Sequence, residues 1–437
     1  MDAQEITIIC TSDLGGQVRG KGYPARDRES RLKKGIGWTP TNSMITALGP
    51  IAPSPWGPFG DLILRPAPET GTRVDFGDGS AVESFVMGDI LHLDGAPWDV
   101  CPRGFLRRVL DALDQRHGLS VRAAFEHEFA YFGAEERPNS PYALDSVRRQ
   151  DRFGETYLAA LDQAGVGLDT FMAEYGPHQY EITVQPAIGM AAADQAVMVR
   201  ELARATAWRM GRQRVSFAPL LRPDAVGNGV HVHFSLFETA TGRPVNHDPA
   251  HSAGLSATAG AFLSGMLEQM SSLIALTASS PVSYYRLTPN RWSAAYNNLG
   301  YRDREAGVRI CPVFDPAQIT RQYHFEYRAA DATASPYIML GAILAAGLWG
   351  LDHARPCARV YEGAPQDFDR AHNDALGVYR LPQSLDAALD AFEAGTDLDD
   401  LVTPALKAAF LAHKRFEIGL TRDMDAHARC ARYAEVY

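Results

Sequence analysis

Lysine is nearly missing from this chain. Of 42 basic residues only Lys21, Lys33, Lys34, Lys407 and Lys414 are Lys, and the other 37 are Arg. Arg suits bidentate binding of carboxylate or phosphate, although a compositional bias toward Arg and Ala accounts for most of these positions. Cysteine is scarce too. Cys10, Cys101, Cys311, Cys357 and Cys430 are far apart, odd in number and without C-x-x-C spacing. That argues against a disulfide framework or a zinc cluster and fits a reducing compartment. Long runs of one charge are absent and the net charge is -10, so neither a nucleic-acid partner nor a polybasic membrane patch is expected. The longest apolar run, 337–351, contains three Gly and falls short of the ~20 residues that span a bilayer; it reads as a buried helix. No basic region precedes an apolar stretch at Met1-Asp2-Ala3-Gln4-Glu5, so no signal peptide and a cytoplasmic protein are expected.

What is present is an ordinary globular composition over 437 residues, 46% hydrophobic and 22% charged, which allows a large core and two or three domains of ~100–200 residues. Residues 1–98 are rich in Gly and Pro, with short β-prone runs at 6–10, 61–65 and 83–87 separated by turn signals. They read as a small, mostly β domain. Pro102 opens a helical pattern over 103–117. Beyond it, 123–132 and 230–236 alternate as strands. The segments 194–211, 256–280, 335–354, 385–394 and 401–416 read as helices. No break in composition divides 99–437.

Chemistry concentrates on the strands. Alternation puts Glu126 and Glu128 on one face of Phe125-Glu-His-Glu-Phe129, where adjacent carboxylates need either a cation or Arg partners. Glu174 and Glu181 flank a Gly-Pro turn that a hairpin could fold onto one site, or that solvent could surround. In Val230-His-Val-His-Phe-Ser-Leu236 the residues His231, His233 and Ser235 share a face, as structural or as ligating groups. Glu326 and Arg328 share another, which an internal salt bridge would also explain. Arg286, Arg291, Arg302, Arg304 and Arg309 form a basic stretch, either an anion site or a solvated face. Five Glu and one His make a hard donor set suited to Mg²⁺ or Mn²⁺, and two such metals beside several Arg is an arrangement for phosphoryl transfer.

In this order, with Tyr285-Arg-Leu, Arg302-Asp-Arg-Glu-Ala-Gly-Val-Arg-Ile310, Glu326-Tyr-Arg, Ser335-Pro-Tyr337 and Lys414-Arg-Phe-Glu417, the segments resemble the glutamine synthetase family. The resemblance implies an α+β fold: an N-terminal β-grasp domain (1–98) and a catalytic domain (99–437) on an antiparallel sheet with flanking helices. It implies a homo-oligomer of hexameric rings or a dodecamer. Glu128, Glu174 and Glu181 match the ligands of one metal. Glu126, His231 and Glu326 match those of a second, with two or three Mg²⁺ or Mn²⁺ per site. His233, Ser235, Arg304 and Arg309 match the ATP side. Glu128, Gly227, Arg286 and Arg328 match the glutamate side, and Arg304 and Arg328 would be catalytic. The implied reaction joins a carboxylate to an amine through an acyl phosphate made from ATP.

Three departures matter. The family's flap Glu, which helps bind ammonium, aligns with Trp292 in Pro289-Asn-Arg-Trp-Ser293, and the ammonium-binding Asp of the β-grasp domain has no counterpart in the carboxylate-free segment 35–43. An indole suits an organic ammonium better than ammonium itself, so L-glutamate and an organic amine are the expected substrates. Glutamine synthesis from ammonia is the alternative, and a non-catalytic role is a third. Val226 replaces an Asn that contacts glutamate, leaving room for a related acid. No Tyr near 368–376 matches the family's adenylylation site, so no such regulation is expected.

Overall fold

The protein is described here by a computed structural model over residues 4–136 and 140–437; Met1, Asp2 and Ala3, which entered the expectation of no signal peptide, lie outside the described residues. The N-terminal part builds one sheet from six strands: β1 (Ile6–Ser12), β2 (Val18–Pro24), β3 (Ile36–Trp38), β4 (Leu62–Pro66), β5 (Thr72–Val74) and β6 (Glu83–Leu91). The order is β2-β1-β6-β4-β3, with β5 also on β6. The β1–β6 pair is parallel and the others are antiparallel. A short helix, Arg28–Lys34, crosses between β2 and β3. The expectation of a mostly β region missed it because its seven residues bury nothing.

The second sheet carries the site. Its strands are β7 (Leu119–Tyr131), β8 (Leu168–Ala173), β9 (Gln179–Val184), β10 (Ala187–Ile188), β11 (Val215–Ser216), β12 (Val230–Glu238), β13 (Leu299–Tyr301), β14 (Val308–Ile310), β15 (Phe325–Tyr327) and β16 (Val360–Tyr361). The order is β16-β13-β14-β15-β12-β7-β9-β8. The pairs from β14 to β8 are antiparallel, whereas β13 pairs in parallel with both β14 and β16 at one edge. Strand β7 is central because its 13 residues alternate between core and site, with Val121, Ala123, Phe125 and Phe129 buried.

Helices cover the apolar face. Pro102–His117 opens with Pro102 and closes on Gly118 in the left-handed conformation, the usual asymmetry of helix ends. Pro336–Asp352 is buried almost throughout, which explains its apolar run without a membrane; among the described residues no helix is long and apolar enough to cross one. Its Gly350 meets Gly265 of Ala257–Glu268 so closely that a Cβ on Gly265 would stand 2.3 Å from the Ala346 carbonyl oxygen. The expected helix over 256–280 is instead two, Ala257–Glu268 and Met270–Thr277, broken at Gln269, where ψ is 7°. Apolar spacing continues across the kink, so periodicity alone does not reveal it.

Buried polar links tie the two sheets together. Arg103 donates to Asp89 on β6 and to Asp194 in the Met190–Arg209 helix, and Tyr337 donates to the same Asp194. Glu417, fully buried, accepts from the Ala47 N–H and the Tyr433 hydroxyl.

Candidate active site

Glu126 and Glu128 sit two residues apart on one face of β7, and the neighbouring strands give them different company. On one side Glu128 stands opposite Glu181 of β9. On the other Glu126 stands opposite His231 of β12. The β8–β9 hairpin closes with the Glu174 N–H on the Gln179 carbonyl at 2.9 Å, and so returns Glu174 toward Glu181.

One oxygen each of Glu128, Glu174 and Glu181 lies within 4.8 Å of the others. Burial, then the charges of Glu126, Glu128 and Glu174, push the Glu181 carboxyl up to about 9. Burial and the Glu128 charge also raise Glu174, against the N–H of Tyr175, which donates to it at 2.5 Å. Glu128 accepts the Gly229 N–H at 2.6 Å. Three half-buried carboxylates, two of them raised by burial and by neighbouring negative charge, fit a hard divalent cation, which would offset both causes.

The second cluster is already neutralised. The Nδ1 of His231 lies 2.8 Å from Glu126 Oε1 and 3.4 Å from Glu326 Oε1. His233 Nε2 lies 3.5 Å from Glu126 Oε2, and Glu126, His233 and Glu326 bring ligand atoms within 4.8 Å of one another. The gathering thus includes both histidines of β12, not His231 alone. Burial works to raise Glu126, but bonds from His231 and His233 hold it well below the usual carboxylate range. Burial likewise opposes Glu326, yet Arg328 and the two imidazoles pull it to about 2. A proton held between imidazole and carboxylates occupies a position where a divalent cation would find the same donors.

Arginines frame this cluster. Arg309 stands opposite Glu326 in the β14–β15 register and donates to it at 2.9 Å. Arg328 also donates to Glu326, and Arg286 donates to the Ala330 carbonyl at 2.6 Å. All three are buried, and the Nε of each has no hydrogen-bond partner. A buried donor left unpaired costs about 1–3 kcal/mol, and these three suit the oxygens of an anion. The structure does not gather the whole basic stretch. Arg304 is exposed, though its charge acts on the Tyr142 phenol. Arg302 stacks over Tyr301, and Arg291 bonds the Pro223 and Ala225 carbonyls.

Gly227 admits no side chain, since a Cβ would meet Arg286 Cγ at 2.5 Å, and its carbonyl accepts from Gln179. Asn228 is buried and spent on Gln179 and Ala218, while Val226 is exposed. Ser235 is half-buried on the face of His231 and His233. Trp292 is 64% exposed with φ at 52°, a strained conformation for so large a residue. Arg328 donates to the Trp292 carbonyl at 3.1 Å, which fixes this peptide at the site.

Four groups went unread in the sequence. His324 and Cys311 stand beside His233; each is two residues from a residue that was noticed, Glu326 and Arg309, so period-two alternation could have found both. Burial raises the Cys311 thiol, but His233 and His324 bring it down to about 7. Burial pushes His233 down, while Cys311 and Glu126 hold it well above its ordinary value. Tyr142, also strained with φ at 54°, bonds Glu174. Glu305 accepts the N–H groups of Asn290 and Trp292.

Sequence comparison agrees with this geometry. Residues 2–98 match the glutamine synthetase N-terminal domain and residues 99–433 match the glutamine synthetase catalytic domain. The chain belongs to the glutamine synthetase family. With that membership the site reads as that of an ATP- and divalent-metal-dependent ligase that forms C–N bonds, on an α+β fold. A gamma-glutamylpolyamine synthetase, GlnA3 of Streptomyces coelicolor, is 32% identical over 98% of this chain and 93% of its own length. A glutamine synthetase of Pyrococcus horikoshii is 29% identical over 93% of this chain and 87% of its own. A crystal structure described as a novel glutamine synthase homolog superposes with a TM-score of 0.92 at 38% identity, covering 100% of this chain and 99% of that one. An ADP complex of GmaS superposes at 0.81 with 25% identity, covering 97% and 95%.

Proposed function

We propose that this protein joins the γ-carboxylate of L-glutamate to an organic amine, using ATP and passing through γ-glutamyl phosphate. Glu128, Glu174 and Glu181 would hold one divalent cation, and Glu126, His231 and Glu326, with His233 alongside, a second. When bound, the cations supply positive charge where the γ-phosphate, the carboxylate and the acyl phosphate crowd together. The chain's own groups do the rest. Arg286 and Arg328 hold the amino acid's carboxylates. Arg304 and Arg309 bind the phosphates and stabilise the transferring group. His233 and Ser235 line the nucleotide side of β12. Alignment of carboxylate and phosphate can contribute up to about 7–11 kcal/mol. The active enzyme would be a ring-forming homo-oligomer.

The observation that carries the amine assignment is Trp292, tied through its carbonyl to the buried Arg328. Glu305 reaches this loop, but it spends its oxygens on the loop's own N–H groups and on Gln366. An indole at that rim covers the methylenes of an alkylamine, each worth about 0.8 kcal/mol, and attracts its cationic head. The gamma-glutamylpolyamine synthetase among the relatives supports the same reading. Phosphate release with ATP, Mg²⁺ or Mn²⁺, glutamate and a panel of amines tests it, with products identified by mass spectrometry. Faster turnover with ammonia than with any amine would reject the amine and leave glutamine synthesis, the activity for which the Pyrococcus relative is named.

A further inference from the structure

We infer that Cys311, His233 and His324 form a binding site for a borderline-soft transition-metal cation, Zn²⁺ fitting best, distinct in chemistry from the carboxylate clusters beside it. The three residues come from three segments that the sheet brings together. His233 lies on β12 opposite Glu326. Cys311 follows β14 and His324 precedes β15, and the Cys311 N–H donates to the His324 carbonyl at 3.1 Å. The antiparallel β14–β15 pair therefore sets these two residues side by side, one strand from His233.

The spacing is that of ligands around one small ion. His324 Nε2 is 3.2 Å from His233 Nδ1, and Cys311 Sγ is 3.9 Å from the same nitrogen. Tetrahedral zinc, with Zn–N of about 2.0–2.1 Å and Zn–S of about 2.3 Å, sets such edges at roughly 3.3 and 3.6 Å. The rings are also oriented as in metal sites. His324 Nδ1 donates to the Gln322 carbonyl at 2.6 Å, so that Nε2 is the nitrogen directed at the cluster. His233 Nε2 faces Glu126 Oε2 at 3.5 Å, so its outer nitrogen has a carboxylate neighbour. Histidines that bind metals are commonly held by a carbonyl or carboxylate on the other nitrogen, as the Gln322 carbonyl holds His324. Cys311 is 3% exposed, and Glu326 Oε2, 3.8 Å from its sulfur, is the nearest group for a fourth position. Binding would release the thiol proton to solvent with no change of oxidation state. One thiolate and two imidazoles prefer zinc to magnesium.

The consequence rests on the ligase reading above. His233 and Glu326 belong to both sites, so zinc at Cys311 would draw them from the Glu126 cluster and from the nucleotide. Zinc is then an inhibitor that magnesium antagonises. The experiment uses the full-length protein freed of metal, titrated with Co²⁺ as a spectroscopic stand-in, whose thiolate band reports only a site that contains Cys311, and then with Zn²⁺. A thiolate-to-cobalt charge-transfer band should appear and disappear as zinc displaces cobalt. It should be absent in Cys311→Ser, and His324→Ala should weaken zinc binding at least about tenfold. Absence of the band in the wild type, or equal zinc affinity in wild type and Cys311→Ser, overturns the site and leaves a hydrogen-bonded Cys–His–His chain. These spectra need no turnover, so they decide the site even where no amine proves to be a substrate. In the turnover assay Cys311→Ser should need about ten times more zinc than the wild type for the same inhibition, and equal sensitivity would overturn the inhibitory role.

Discussion

Glu126 and Glu128 share a strand and a face, yet the structure treats them oppositely. Glu128 faces two more carboxylates, and the group has little to neutralise it but a cation from outside. Glu126 faces imidazoles, and its partner Glu326 holds two arginines. A carboxylate cluster that repels itself stores an affinity for divalent metal. One that is internally paired stores order in the protein. The difference comes from which strand lies on each side of β7, not from β7 itself.

The largest test of this contrast is Glu326→Ala. It strips the charge partner from buried Arg328 and Arg309, and removing one member of a buried pair costs about 3–5 kcal/mol. Chemical denaturation should show that loss with or without metal. Equal stability to wild type would mean the cluster is not internally held. In the other cluster Mg²⁺ or Mn²⁺ should stabilise the protein by about 2.7 kcal/mol at a hundredfold excess over Kd, and Glu181→Gln should remove most of that gain in a thermal melt.

The two clusters also differ in the sign of their pH dependence. Glu181 keeps its proton in the folded protein to about 9, against 4.5 ordinarily. The folded state therefore binds more protons between those values, and metal-free stability falls as pH rises through that window. Glu126 and Glu326 are depressed, so their contribution is present above the ordinary carboxylate range and lost as pH falls toward about 2. Melting curves of metal-free wild type and Glu181→Gln across this range separate the two, and the variant should lose less stability toward pH 9. The smallest effect belongs outside both clusters. Trp292→Glu should shift the ratio of kcat/KM for alkylamine over ammonia by roughly tenfold, about 1.4 kcal/mol, with metal affinity unchanged. An unchanged ratio would remove the indole from amine selection.

Much of this was legible along the chain. Period-two alternation correctly paired Glu126 with Glu128 and His231 with His233, because side-chain facing in a strand is a local property. The Pro102 helix start was legible for the same reason, as was the buried apolar helix with its three glycines. The split at Gln269 was not, since it changes the backbone without changing the apolar pattern. Cys311 and His324 were not singled out, since cysteine spacing reports only clusters built from one stretch of chain. The basic stretch from Arg286 to Arg309 looked uniform, yet only Arg286 and Arg309 of its five arginines turn inward.

The sequence by itself determined which donors exist and which of them share a strand face. Those follow from residue identity and the two-residue repeat. Only the tertiary structure decided that β9 brings Glu181 to Glu128 while β12 brings His231 to Glu126, and that β14 and β15 deliver Cys311 and His324 to His233. Register between strands distant in sequence is fixed by packing of the whole sheet, and electrostatic character is set by what stands opposite.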